Sequence, residues 1–223
     1  MIGQRLNETL RFWWQNIPAL LLVTLPFALL GETAQAILGP AIMTSDEGLS
    51  ITQSSAVILL LLHPLTAGAI MAQLTAIQNG GARSLGDCLL FSLRALPILL
   101  LTYMLLGLSV YFGLLLFFFP GVWLYARLCQ APFIAVLENR TPLQSLQQAF
   151  VRSATDQWQM LAAITLIFML IVVIVLFAAT LVTGLLGTST LSSLILGGIT
   201  GLVTCLLNVI VFRYYGLLKP AVS

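Results

Sequence analysis

Charge is scarce in this chain of 223 residues: 7% of them are Asp, Glu, Lys or Arg, whereas 60% are hydrophobic. A soluble domain carries about 25% charged residues, so this composition excludes a protein whose whole surface faces water. Long apolar runs between short polar stretches predict membrane-spanning helices rather than the alternating strands of a membrane barrel. We therefore expect an all-α membrane protein with a single polytopic domain over residues 1-223.

Side chains that bind metals or act as catalytic bases are also scarce. Because His63 is the single histidine, no second imidazole is present for a zinc site or a Ser-His-Asp arrangement. The cysteines, Cys88, Cys129 and Cys205, lack metal-ligand spacing and do not suggest a disulfide framework. No phosphate-binding loop, dinucleotide fingerprint or HExxH motif is present. We expect no cofactor, no metal and no enzymatic activity.

Six apolar segments follow one another and predict six transmembrane helices, over residues 17–38, 54–77, 96–119, 122–137, 160–183 and 194–218. The fourth segment is short, so flanking residues are expected to extend it. The first could instead be a secretory signal, because Ala34-Gln35-Ala36 resembles a cleavage site. An amphipathic stretch with Glu8 and two tryptophans precedes it, which favours an uncleaved span.

Three amphipathic segments each precede a predicted span, over residues 2–14, 84–94 and 141–158. Ser84 with Asp87, and Thr141 with Gln144, have the spacing of helix-capping boxes. The order of elements predicts three repeated units, each an amphipathic interfacial helix followed by a helical hairpin. The units would cover roughly residues 1-78, 79-138 and 139-223.

The basic residues indicate how the chain is oriented. With six spans and a cytoplasmic N-terminus, every Arg and Lys except Arg127 lies on or near the cytoplasmic side. The polar loops on the opposite side, residues 39–53 and 184–193, contain none. This is a positive-inside distribution, and it predicts that both termini are cytoplasmic. Few and dispersed basic residues argue against nucleic acid as a partner.

One stretch carries an ordered set of motifs: Phe119-Pro120-Gly121 suggests a tight turn, followed by Arg127 in a helix, Pro132, Glu138 and a capped helix from Thr141. This pattern resembles the YciC-like family of bacterial inner-membrane proteins. It is more distantly similar to the membrane domain fused to some glycerophosphodiester phosphodiesterases. The resemblance implies a multi-pass protein of the bacterial inner membrane. It does not imply phosphodiesterase activity, which belongs to a separate catalytic domain.

Arg127 is the sharpest candidate for function, because an arginine within a membrane helix is costly and usually has a partner or a water-filled cavity. Counted from the non-cytoplasmic side, Arg127, Glu32 and His63 are expected at comparable depths. They form a candidate intramembrane polar cluster that binds a lipid phosphate or relays protons. The alternatives are an Arg127–Glu32 pair that fixes helix packing, or an arginine that reaches the headgroups. For His63 alone, a hydrogen bond to a neighbouring helix is the simpler role.

Four further arginines are candidate contacts for lipid headgroups: Arg83, Arg94, Arg140 and Arg152. Alternatively, they only set the topology. Two functions remain open on this evidence. One is a membrane component that binds lipids or other inner-membrane proteins. The other is a transporter or channel for a lipid or small solute. The oligomeric state does not follow from the sequence.

Overall fold

The computed structural model describes residues 2–39, 42–45, 48–51, 53–187 and 189–218. The elements within these ranges are α1 (Ile2–Gln15), α2 (Ile17–Leu38), β1 (Ile42–Ser45), β2 (Gly48–Ile51), α3 (Gln53–Gln78), α4 (Leu85–Leu116), α5 (Phe118–Leu128), α6 (Ala131–Leu137), α7 (Pro142–Arg152), α8 (Gln157–Leu186) and α9 (Thr190–Leu218). These described ranges are helical apart from one short hairpin, in which β1 and β2 pair antiparallel with Ile42 opposite Ile51.

Five helices in the described part of the chain are long and apolar enough to cross a membrane: α2, residues Ser54–Gln78 of α3, α4, α8 and α9. The polypeptide is therefore an integral, multi-pass membrane protein. The first of these helices has the bounds expected from its apolar run, Ile17–Leu38. Its N-terminal neighbour α1 is a separate helix, since Asn16 interrupts the helical backbone between them.

The predicted fourth span is not one continuous helix. Residues 118–137 form two shorter helices, α5 and α6, which meet at Cys129-Gln130. Pro132 is the second residue of α6, where its missing N–H costs nothing. In a continuous helix its ring would clash with the carbonyl of Leu128, four residues earlier. Accordingly, α5 ends at Leu128.

The turn before α5 also differs from the expected Pro-Gly turn. Phe117, rather than Pro120-Gly121, takes up the extended conformation that separates α4 from α5, with φ −166° and ψ 158°. Pro120 then lies in the first turn of α5, a position in which proline is tolerated. Gly121 allows the close approach of the two helices, because a β-carbon there would lie 2.9 Å from the backbone nitrogen of Leu114.

The second amphipathic segment and the third span form one helix, α4, rather than two elements. Pro97 lies inside it. Membrane helices tolerate an internal proline where neighbouring helices stabilise that region, and α3 packs along this stretch. The Ser92 hydroxyl donates a hydrogen bond to the carbonyl oxygen of Leu65, and a β-carbon on Gly68 would lie 3.0 Å from Leu99.

Neighbouring long helices run antiparallel. Gly31 of α2 faces Leu59 and Leu62 of α3, while Gly201 of α9 faces Ala28 of α2. The Tyr214 hydroxyl of α9 donates a hydrogen bond of 3.4 Å to the carbonyl oxygen of Gln159 in α8. The bundle thus has two ends. We call the end with the first residues of α2 and the last of α3 and α9 the terminal end, and the opposite one the loop end.

Candidate functional site

A cavity of about 500 Å³ lies inside the bundle, and we call it the inner cavity. One face of α2 forms much of its wall, because residues at helical spacing point the same way. These wall residues are Thr24, Phe27, Ala28, Gly31, Glu32 and Gln35. The opposite walls come from α3, α4, α5, α6, α8 and α9 and include Leu62, Leu106, Tyr125, Phe133, Phe168 and Thr204. The result is a mostly apolar chamber with a few polar groups.

Glu32 is the acidic residue of this wall, and its position depends on Gly197 of α9. A β-carbon on Gly197 would lie 2.9 Å from Oε1 of Glu32 and even closer to its Cγ. Only glycine therefore leaves room for the glutamate side chain at this helix contact. Among the described residues, no hydrogen bond or ion pair engages the Glu32 carboxylate. It lies six residues before the end of α2, or about 9 Å along the helix axis.

A second cavity of about 480 Å³ lies at the loop end, and we call it the outer cavity. Its wall is rich in hydroxyl groups, which come from Thr33, Thr183, Ser189, Thr190, Ser192 and Ser193. Glu32 and Gln35 belong to the walls of both cavities. Within the part of the chain that the structure describes, neither wall contains a lysine or an arginine. Glu32 therefore stands at the boundary between an apolar chamber and a hydroxyl-lined one.

His63 also lines the inner cavity. Its ring meets that of Tyr103 edge-on, with the centroids 4.9 Å apart and an interplanar angle of 72°. Among the described residues, no hydrogen bond joins His63 to Glu32. The structure thus brings two of the three candidate residues to one cavity without direct contact between them.

Arg127 lies elsewhere and belongs to neither cavity wall. Its side chain is 7% exposed and faces the C-terminal end of α7. Nε donates to Oγ of Ser153 at 3.3 Å, and Nη2 donates to the carbonyl oxygen of Phe150. The guanidinium lies over the rings of Phe150 and Trp123, 3.5 and 5.1 Å from their centroids. A cation here complements the negative end of the α7 dipole.

These contacts bear on the roles considered for Arg127. Within the described ranges no ion pair joins Arg127 to Glu32, so the side chains do not form the pair that one alternative required. Instead of a carboxylate, Arg127 has a helix C-terminus and two aromatic rings as partners. These contacts explain how a buried arginine is accommodated near the membrane-embedded helices.

The four candidate headgroup contacts fall into two groups. Arg152 is engaged with Glu138, whose carboxylate oxygens accept from Nη1 and Nη2 at 2.6 and 2.8 Å. The hydrogen bond that Arg152 donates to Glu138 raises the pKa of Arg152. In contrast, Arg83, Arg94 and Arg140 are exposed. Arg83 lies over the Phe91 ring, 5.6 Å from its centroid. The three exposed arginines are thus better placed than Arg152 to meet headgroups.

Sequence reasoning missed several features of the site. Thr24 is 1% exposed and lines the inner cavity, and its hydroxyl has no hydrogen-bond partner among the described residues. Gly197 and Gly201 have the GxxxG spacing that is typical of a helix-packing face, but this spacing does not identify Glu32 as the residue that packs on Gly197. No signal within α2 or α9 alone could identify that contact, because it joins residues far apart in the chain.

Contacts of the N-terminal helix were also not foreseen. Arg5 lies 3.5 Å from a carboxylate oxygen of Asp156, and Glu8 accepts from Arg213 at 3.1 Å. The indole nitrogen of Trp13 donates to the carbonyl oxygen of Leu202 at 3.2 Å. These contacts attach α1 to the terminal end of the bundle, antiparallel to the last part of α9.

Comparisons with known proteins add one relative. No family model matches the chain, and no solved structure matches it. The chain is similar to the UPF0259 membrane protein SG1383 of Sodalis glossinidius (strain morsitans), with 31% identity over 157 residues. The match covers 70% of this chain and 62% of the relative, so the chain spans less than two thirds of that protein's length. This likeness supports placing the chain among uncharacterised bacterial membrane proteins.

Proposed function

We propose that this protein is a non-enzymatic component of the bacterial inner membrane that binds a lipid or another small amphiphile in its inner cavity. The observation that carries the proposal is the Glu32 carboxylate, which is unpaired among the described residues and lies in the wall of a largely apolar chamber of about 500 Å³. Ligand sites typically enclose about 300–1,000 Å³ and combine apolar walls with a few polar groups. The inner cavity has both properties.

The absence of enzymatic activity is part of this proposal. Its support is the scarcity of catalytic groups in the sequence, which has a single histidine. Within the described ranges, that histidine is not hydrogen-bonded to Glu32, the acidic residue of the same wall. A ligand would therefore meet a site suited to recognition rather than to paired acid–base chemistry.

The proposal includes six membrane crossings with both termini in the cytoplasm. The contacts of α1 with α9 put the two ends of the described chain on one side of the bundle. The antiparallel pairs further imply that α4 and α8 both start at the terminal end. Because α4 therefore ends at the loop end, residues 117–156 must bring the chain back to the terminal end before α8 begins. Together α5 and α6 contain 18 helical residues, about 27 Å of helix. The basic residues favour a cytoplasmic terminal end.

Membership of the YciC-like family and the threefold repeat also remain proposals. The order of motifs from Pro120 to Thr141 supports the family, and the relative from Sodalis glossinidius is compatible with it. For the repeat, the support is the recurring order of an amphipathic segment and a helical hairpin. The second unit is the least regular, because its amphipathic segment is continuous with α4.

Lipid headgroups are the proposed partners at the terminal end. Arg83, Arg94 and Arg140 are exposed there, whereas Arg152 is held by Glu138. Anionic headgroups attract such residues by about 1 kcal/mol per charge near the surface. Other inner-membrane proteins are possible partners for the exposed apolar helix faces.

Transport of a lipid or small solute is the second candidate function. It is favoured by one observation, the position of Glu32 in the walls of both cavities. A ligand passing from one chamber to the other would meet this carboxylate on its way. Substrate-dependent flux into proteoliposomes, abolished in Glu32→Gln and retained in Glu8→Gln, would favour transport over binding alone.

Native mass spectrometry of protein released directly from membranes tests the binding proposal. We expect a complex with a bound amphiphile that is depleted in variants that fill the inner cavity, such as Ala67→Phe, and retained in Ala154→Phe at an exposed position. Protein that carries no small molecule, or adducts unaffected by the cavity-filling variant, would contradict the proposal.

A further inference from the structure

The charged side chain in the walls of the two cavities is acidic. Glu32 is their acidic residue, and no lysine or arginine is among the described residues of either wall. An unpaired carboxylate in apolar surroundings is costly, and a bound cation offsets that cost. An anionic group at the same place would be repelled and would find no basic side chain. The electrostatics therefore favour a ligand with a positive charge beside Glu32.

A second observation points to a ligand at the same wall. The Thr24 hydroxyl is buried and unpartnered, and it lies two helical turns from Glu32 on the same face of α2. Two other threonines of this wall behave differently. Thr66 donates to the carbonyl oxygen of Leu62 at 2.8 Å, and Thr204 donates to that of Thr200 at 2.7 Å. Because a buried hydroxyl without a partner is unfavourable, Thr24 has bonding capacity left for a ligand.

The inner cavity also indicates what the rest of the ligand is like. Its wall includes apolar side chains from six helices: Phe27, Leu62, Leu106, Phe133, Phe168 and Val211 are examples. An apolar chain would be favoured there, whereas the hydroxyl-rich outer cavity suits a neutral polar group. Glu32 stands between the two environments.

We infer that Glu32 is the counter-ion for the ammonium group of an amine-bearing amphiphile whose apolar chain occupies the inner cavity. This inference rests on the proposed function, because it specifies the ligand class of that cavity. A hydrophobic amine and a lipid with an amino headgroup share this chemistry. An anionic lipid without an amino group does not share this chemistry.

Binding of tritium-labelled dodecylamine to purified protein in non-ionic detergent, followed by scintillation proximity, tests the inference. Dodecanol and dodecanoate serve as competitors of equal chain length. We expect unlabelled dodecylamine to compete best and dodecanoate worst. Glu32→Gln is expected to weaken dodecylamine binding by about 10- to 100-fold, the effect of losing a hydrogen bond to a charged group. Glu8→Gln removes a carboxylate outside both cavities and is expected to change binding less than about twofold.

Thr24→Val provides a second variant that leaves the charge in place. It is expected to weaken dodecylamine binding by about 2- to 10-fold, the range for a neutral hydrogen bond. The inference is overturned if folded Glu32→Gln binds dodecylamine as the wild type does. If that variant does not fold, equal competition by dodecylamine and dodecanoate in the wild-type protein overturns it.

The outcomes separate this inference from the proposed function. If dodecanol and dodecylamine bind equally well, the cavity binds amphiphiles but Glu32 does not select an amine. If none of the three compounds binds and native mass spectrometry finds no ligand, both the inference and the proposed function fail. If phosphatidylethanolamine competes with dodecylamine and phosphatidylglycerol does not, the inference is supported with a lipid as the source of the amino group. If dodecylamine binds and neither lipid competes with it, the inference is supported with a free amine as the ligand.

Discussion

The guanidinium of Arg127 lies 3.5 Å from the centroid of the Phe150 ring and donates a hydrogen bond to the carbonyl oxygen of the same residue. This relationship fixes α5 against the C-terminal end of α7. It also holds the Arg127 side chain away from both cavities. Arg127 is accordingly explained by packing, and the candidate ligand site is centred on Glu32.

Replacing Arg127 by methionine is expected to destabilise the protein by about 2 kcal/mol, because a buried charged donor loses its hydrogen bonds and ring contacts. Thermal unfolding in detergent measures the change. Arg94→Met is the matched control, since Arg94 is exposed and is expected to contribute less than about 0.5 kcal/mol. Equal stability of the two variants would contradict the packing role of Arg127.

The pair of Arg152 and Glu138 is expected to stabilise the junction of α6 and α7. Their side chains are 16% and 14% exposed, so solvent screens the pair less than a fully exposed one. A double-mutant cycle with Arg152→Gln and Glu138→Gln should give a coupling of about 1–2 kcal/mol. The pair of Arg213 and Glu8, at 36% and 62% exposure, should give less than about 1 kcal/mol. A larger coupling energy for the Arg213–Glu8 pair than for the Arg152–Glu138 pair would contradict the structure at α7.

Gly197→Ala tests the contact that positions Glu32. The added methyl group would collide with the glutamate side chain, and we expect a loss of about 1–3 kcal/mol in unfolding free energy. Gly184→Ala is the control, because no atom lies within 4 Å of the β-carbon position there. That change should be neutral or stabilise α8 by about 0.5–1 kcal/mol. If Gly197→Ala were as well tolerated, Glu32 would not pack where the structure places it.

Membrane topology can be tested with single introduced cysteines, because the native Cys88, Cys129 and Cys205 are all buried. In intact cells, a membrane-impermeant maleimide should label Thr190→Cys at the loop end. It should label Gly81→Cys and Arg140→Cys only after the inner membrane is opened. Gly81 and Arg140 flank α4, α5 and α6, so their labelling from opposite sides would rule out an even number of crossings between them.

The local signals in the sequence predicted individual helices and caps well. The capping box of Thr141 and Gln144 is confirmed, and the Ser84 hydroxyl accepts from the backbone N–H of Asp87 at 3.2 Å. Such features depend on residues three positions apart, so the sequence contains all the information needed. Five of the six spans predicted from the long apolar runs correspond to helices long and apolar enough to cross a membrane, since hydropathy reports directly on the cost of membrane burial.

Features that depend on contacts between distant segments were not predictable in this way. Counting residues put Arg127 at the depth of Glu32, but the break at Cys129-Gln130 and the packing of α7 give it different neighbours. The unpaired Thr24 hydroxyl is visible only once the partners of each polar group are known. Patterns in a single sequence do not specify which helix faces pack against each other, and the candidate site is formed by residues on the packed faces of several helices.

Mass measurement of the intact protein, released from native membranes into the gas phase, tests the central claim most directly. For the wild-type chain we predict a bound amphiphile that dissociates on collisional activation and whose fragments contain an amino group. The same ligand should be depleted in Glu32→Gln and retained in Glu8→Gln. Wild-type protein free of any small molecule, or an equal load of ligand on all three proteins, would contradict the account.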